Sequence, residues 1–134
     1  LVLVRDIKDK KYFKIIKNKF KDDLKKNLII LNFVKIEYLI KLYDNCLALI
    51  YSSFAGPENL PPLEAMARKK TVICSNYPGA KEQLKNLPIY FNPNNVTSIQ
   101  FALNKFVRNK IKKKFFIRNT DKYISKVFSE INND

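Results

Sequence analysis

The stretch YSSFAGPENLPPLEAMARKKTVICSNYPGAKEQLKNLPIYFNP, residues 51–93, decides how the fold is read. It opens on the last residue of an apolar run, Leu47 to Tyr51, which has the length of a strand. Ser52 to Leu60 is polar and carries Gly56-Pro57, a loop signature. Pro61-Pro62 then opens a helix through Ala67, because the first N–H groups of a helix have no intrahelical acceptor and proline loses nothing there. Thr71 to Cys74 reads as a buried strand, Tyr77-Pro78-Gly79 as a turn, Ala80 to Asn86 as a short helix and Pro88 to Phe91 as a brief strand.

Working outward, the same alternation continues. Leu1 to Val4 and Asn27 to Leu31 are short apolar strands. Lys10 to Phe20 places Phe13, Ile16 and Phe20 on one side at helical spacing. Ile36, Leu39, Ile40 and Tyr43 recur at i, i+3, i+4 and i+7, which makes Lys35 to Asn45 an amphipathic helix. Val96 to Lys114 and Asp121 to Ile131 carry further helical patterns. The order predicts an α/β fold, a Rossmann-like parallel sheet flanked by helices. A length of 134 residues fits one domain, so residues 1–134 are read as one. Leu1 to Val4 reads as strand from the first residue and there is no initiator Met, so the expectation is a chain lacking its N-terminal part.

Composition excludes several chemistries. The chain has no His, hence no Ser-His-Asp triad, no Cys-His pair and no His-bearing zinc site. Two cysteines, Cys46 and Cys74, cannot make a four-cysteine zinc site, and both lie in apolar runs typical of buried thiols. Two glycines cannot spell a GxGxxG phosphate loop. Within residues 1–134 no apolar run approaches the roughly 18 residues of a membrane span, and no signal-peptide pattern is expected there.

The formal net charge of +14 first suggests a polyanion partner such as nucleic acid. Its distribution argues otherwise. Residues 1–27 carry 10 Lys/Arg and 4 Asp/Glu, residues 105–134 carry 9 and 3, and the middle carries 7 and 5. The excess lies in the terminal segments, densest at Lys110, Lys112, Lys113 and Lys114 beside Phe115-Phe116. A solvated helix face explains this cluster. A basic amphipathic patch on an anionic membrane is the functional alternative.

Between residues 51 and 93 the pattern becomes specific. It resembles the C-terminal, donor-binding domain of GT-B glycosyltransferases in the retaining group called group 1 or family 4. The resemblance rests on Tyr51, Ser53, Leu60, Pro61, Leu63, Glu64, Ala65, Met66, Ala67, Val72, Ile73, Ser75, Asn76, Pro78 and Glu82. Upstream, Leu31-Asn32-Phe33-Val34 and Leu39, Leu42 and Tyr43 are similar to the family's strand end and following helix. The family has two glutamates separated by seven residues; Glu64 matches the second, and Gly56 stands at the first. A family variant with Gly-Pro-Thr-Asn-x-Pro-Pro-Leu-Glu-Ala is closer, with Glu58 in the Thr slot.

The resemblance implies a nucleotide-sugar donor, UDP- or GDP-linked, passed to a glycan or lipid-linked acceptor. The acceptor domain of such an enzyme would lie upstream, the site would be cytoplasmic, with peripheral contact at the inner membrane face, and no metal cofactor would be required. It assigns Glu64 to the ribose diol, with a simple helix-end electrostatic role as the alternative. Backbone N–H groups of Asn59 and Leu60 face the diphosphate, or else Asn59 merely caps the helix. Gly56 allows close backbone approach, or simply a turn. Glu58 or Asn59 takes over the sugar contact. Phe33 and Val34 border the base, or are core residues. Tyr77 and Lys81 flank the Gly79 turn and read as solvated loop, and Glu82 as structural. No residue qualifies as a general base, so catalytic residues stay unassigned. In such enzymes the leaving diphosphate itself helps deprotonate the acceptor. The two rival readings are a basic nucleic-acid-binding module and a GT-B domain that keeps the fold without catalysis.

The nucleic-acid reading predicts roughly micromolar binding to duplex or single strands that falls steeply with salt. The charge distribution favours the opposite outcome: no binding in fluorescence anisotropy at about 100 mM salt.

Overall fold

Short apolar runs become parallel strands, and the amphipathic stretches between them become helices. The computed structural model describes residues 1–4, 9–24, 26–55 and 60–112. The expected helix over 121–131, and Lys113, Lys114, Phe115 and Phe116, lie outside the described residues. The chain divides into two compact units, Leu1–Ile40 and Lys41–Asp134, each with its own parallel ladder.

In the first unit, β1 (Val2–Val4) pairs parallel with β2 (Ile29–Leu31) in the register Val2 to Ile29, Leu3 to Ile30 and Val4 to Leu31. Between them lies α1 (Lys10–Lys19). Asp9 caps it: the residue is extended, and its carboxylate accepts from the Tyr12 N–H at 2.9 Å. Lys17 and Lys19 sit in the last turn, where a positive charge favours the negative helix end. Phe13 and Ile16 are half-buried as their spacing predicts, while Phe20 is exposed just past the helix end.

Helix α2 (Ile36–Asn45) starts in the first unit and ends in the second. Its apolar face is graded. Ile36, in the first turn, is exposed, Leu39 and Ile40 are half-buried, and Tyr43 is buried.

The second unit is built on β3 (Ala48–Tyr51), β4 (Thr71–Ser75) and β5 (Ile89–Phe91), in the order β3-β4-β5 and all parallel. The helices are α3 (Leu60–Ala67), α4 (Pro78–Leu84) and α5 (Val96–Lys112). β4 is the central strand, with Val72, Ile73, Cys74 and Ser75 all buried. A strand hydrogen-bonded on both edges and covered on both faces favours apolar residues, which is why Val72, Ile73 and Cys74 lack polar alternation; the buried Ser75 hydroxyl is hydrogen-bonded instead. Ile73 packs with Phe91 and Ala102, supported by Ala48, Ile89, Ile99, Leu103 and Phe106. Full burial of one such side chain contributes about 2 kcal/mol. Tyr90, which alternates with Ile89 and Phe91, points to α4 instead and donates its hydroxyl to the Ala80 and Lys85 carbonyls at 3.2 and 2.7 Å.

The helix ends follow local chemistry. The 77–79 segment, expected as a turn, is the start of α4. Tyr77 is extended and Pro78 takes the first helical position, where its fixed φ suits a helix. Asn95 caps α5, accepting from the Ser98 N–H at 2.9 Å, and the Ser98 hydroxyl accepts from the Asn92 N–H at 2.9 Å. α3 ends in a paired-bond cap: the Lys69 N–H donates to the Met66 carbonyl at 2.8 Å and the Lys70 N–H to the Ala65 carbonyl at 2.9 Å. That cap holds Lys69 at φ 58°, the left-handed region that glycine occupies without a Cβ clash.

Lys69→Gly should therefore stabilise the fold by about 0.5–1 kcal/mol, net of the greater freedom of unfolded glycine. Urea denaturation checks it; an unchanged or lower midpoint contradicts the strain at this cap.

Candidate functional site

Open parallel sheets take ligands beyond the carboxyl ends of their strands. In the second unit that edge is formed by Tyr51, Ser75 and Phe91. A hollow of about 410 Å³ lined by Met66, Lys69, Lys70, Thr71, Val72 and Leu87 touches the opposite, starting end of β4, away from this edge.

The loop after β3 is clasped to β4. Ser75 is fully buried and donates its hydroxyl to the Ser53 carbonyl, with the Tyr51 carbonyl at 3.4 Å. The Ser53 hydroxyl in turn donates to the Ala55 carbonyl at 2.6 Å. These two serines, matched in the sequence only as pattern, fix how the chain leaves β3 toward α3. The role was hidden because the partners lie 22 and 24 residues apart.

α3 begins at Leu60, one residue before the expected Pro61, so both prolines fall in its first turn. Leu60 is exposed and Pro62 buried. Pro61 and Pro62 have no N–H, so two positions of that first turn bring no backbone donor. Glu64 is the fifth residue of the helix, and no acidic residue lies in the first turn. The helix-end electrostatic explanation of Glu64 therefore fails, since that effect fades within one turn.

Glu64 is half-buried and accepts a hydrogen bond from the Tyr43 hydroxyl, 2.9 Å to Oε2. Tyr43 is buried at 7% exposure. Burial, then the bond and the negative charge of Glu64, push its hydroxyl pKa well above the ordinary tyrosine value. The sequence had Tyr43 only as the last position of an apolar stripe; the signal it missed is that a buried tyrosine hydroxyl needs a partner.

Next to Tyr43, Asp44 collects the nearby cations. Arg68 Nη1 lies 2.6 Å from Asp44 Oδ1, and Lys70 Nζ donates to the Asp44 carbonyl at 2.7 Å. This pair is largely exposed, so it contributes at most about 1 kcal/mol. Its effect on Glu64 matters more: Arg68, one helical turn beyond Glu64 and in reach of an i,i+4 pair, is held elsewhere.

The other expected residues fall as follows. Phe33 is exposed at 87%, in the loop after β2, which excludes a core role for it; Val34 is half-buried. Both belong to the first unit. Gly56, Glu58 and Asn59 lie outside the described residues. Tyr77 and Lys81 are not a solvated loop. Tyr77 precedes α4 with its hydroxyl buried and unpaired, and Lys81 is an exposed residue of α4. The cause is Pro78, which starts the helix earlier than the turn pattern implied. Burial, with Tyr51, Cys74 and Tyr90 nearby, raises the Tyr77 pKa. Glu82 is exposed on α4. Cys74 is buried, and burial pushes its thiol pKa up; Cys46 is only half-buried, its thiol donating to the Tyr43 carbonyl at 3.3 Å. Among the described residues no group of three His, Cys, Asp or Glu side chains could hold a metal ion, and no helix is long and apolar enough to cross a membrane.

Comparison with known proteins adds two findings. The family model described as glycosyl transferases group 1 matches residues 6–123. The chain is 37% identical over 81 residues to the O-antigen chain mannosyltransferase RfbU of Salmonella typhimurium (strain LT2). That match covers 60% of this chain and 23% of the mannosyltransferase, so it spans about a quarter of the relative's length.

The buried tyrosine makes a pH prediction. A tyrosine whose pKa is raised on folding stabilises the fold fully below its ordinary value of 10.0, and that stability is lost as pH rises above it. Tyr77 and Tyr90 are shifted the same way. Denaturation measured from pH 9 to about 11 should show falling stability, with a shallower fall in Tyr43→Phe. An identical slope in the variant contradicts the shift at Tyr43.

Proposed function

The chain belongs to the group 1 glycosyltransferases, and from that premise we propose that it is the donor-binding part of a retaining enzyme. The donor is a UDP- or GDP-linked sugar and the acceptor a glycan or lipid-linked glycan. The relative's role in building an O-antigen chain supports a hexosyl, polysaccharide-forming activity of the whole protein. Residues 1–134 then act as one nucleotide-sugar-binding domain of a GT-B fold, partnered by an acceptor domain.

The observation that carries the reading is Glu64. It is a half-buried carboxylate on the helix that follows the carboxyl end of β3, hydrogen-bonded by one neutral donor. A vicinal diol offers two O–H donors, and an ionised carboxylate has about four acceptor sites, so Glu64 suits the ribose of a nucleotide. The N–H groups of Asn59 and Leu60 and the positive end of α3 suit diphosphate oxygens. Gly56 lets the backbone approach the ligand, and Glu58 or Asn59 takes the sugar hydroxyls. Phe33 and Val34 are assigned to the base.

No residue is assigned as a base. In the proposed transfer the bond from the anomeric carbon to the diphosphate breaks. The acceptor oxygen bonds to that carbon on the same face, and the acceptor proton passes to the leaving diphosphate. Such a step calls for positive groups around the diphosphate and for no bound metal. Peripheral contact of the basic segments with an anionic inner membrane face fits a lipid-linked acceptor.

One observation favours a second reading, a domain that binds donor without transferring sugar: Gly56 stands at the position of the family's first glutamate. A sugar-transfer assay on the full-length protein separates the two.

The donor reading predicts that calorimetry detects UDP or GDP binding, and that Glu64→Ala weakens it tenfold or more, about 1.4 kcal/mol. Unchanged affinity in the variant removes the ribose role.

A further inference from the structure

We infer that Tyr43 is the positioning residue of the donor site, holding the Glu64 carboxylate ready for the two ribose hydroxyls. This rests on the ribose reading of Glu64 given above. Three features carry it.

The first is geometric. Tyr43 is buried at 7% exposure and stands on a different helix from Glu64, so its hydroxyl is a fixed point that donates to Oε2 at 2.9 Å. A glutamate side chain has three rotatable bonds, and ordering it costs rotamer entropy. A hydrogen bond to a charged group offsets that cost before any ligand arrives.

The second is the donor's chemistry. A tyrosine hydroxyl brings one proton and no charge. It occupies one of about four acceptor sites on the carboxylate, leaving room for two diol hydroxyls. Lysine or arginine in its place would neutralise Glu64 and, in a bidentate arginine pair, use both oxygens. Burial and the neighbouring carboxylate keep the Tyr43 proton in place far above neutral pH, so the donor does not switch off.

The third is what α2 does one residue later. Arg68, four residues after Glu64 and just past the end of α3, is bound to Asp44 Oδ1 at 2.6 Å, and Lys70 to the Asp44 carbonyl at 2.7 Å. Among the described residues Glu64 has no Lys or Arg partner. Tyr43-Asp44 thus supplies a neutral donor to Glu64 and withdraws the competing cation.

The test compares UDP and GDP with their 2′-deoxy counterparts by calorimetry on the full chain and on Tyr43→Phe and Glu64→Gln. The wild type should prefer the ribonucleotide by about tenfold, the size of one lost charged hydrogen bond. Tyr43→Phe should shrink that preference to about threefold or less, while its affinity for the 2′-deoxy nucleotide stays near wild type. A purely structural tyrosine would lower both affinities together and leave their ratio alone. If the wild type shows no preference, or Glu64→Gln keeps it, the ribose reading falls and the inference with it. If Glu64→Gln loses the preference and Tyr43→Phe keeps it, the ribose reading stands and the positioning role of Tyr43 is overturned.

Discussion

The parallel pairing of β4 with β3 on one edge and β5 on the other closes Val72, Ile73, Cys74 and Ser75 off from solvent. A strand in that position leaves its neighbours few choices. Ile73 and Phe91 take α5 through Ala102, while Tyr90 on the other face is tied to α4 through two carbonyls. At the carboxyl end, the buried Ser75 hydroxyl seizes the Ser53 carbonyl and fixes the exit of β3. α3, which carries Glu64, is the next described element after that exit.

The site follows from a contest for one carboxylate. A half-buried glutamate in a chain with 26 Lys and Arg residues would be expected to acquire a cation. Here it meets a neutral tyrosine, and the arginine one turn away is drawn to Asp44. The strength of the outer pair is modest because it is exposed. What it shows is placement: the Arg68 guanidinium is bound to Asp44 and not to Glu64.

Much of this fold was legible in the sequence because its strands are short uninterrupted apolar runs and its helices carry i, i+3, i+4 spacing. Thr71 to Cys74 and Leu47 to Tyr51 gave β4 and β3 to within one residue. The error arose at one proline: Pro78 after an extended Tyr77 starts a helix rather than closing a turn, whereas Pro61 and Pro62 fall in the first turn of α3 as expected. Of the candidate site, the motif singled out Glu64. Tyr43 and Ser75 were not legible, because a hydrogen bond between residues 21 or 22 apart leaves no periodic trace. Phe33 could not be resolved between core and surface, since one aromatic after a strand fits both, and its exposure decides for the surface.

Whether Glu64 is held for a nucleotide ribose is decided by a crystal structure of the full chain with UDP or GDP bound. The ribose hydroxyls should lie within hydrogen-bond reach of the Glu64 carboxylate, with Tyr43 still donating to the same group. A nucleotide whose ribose lies elsewhere, with Glu64 bonded to Tyr43 alone, would contradict it.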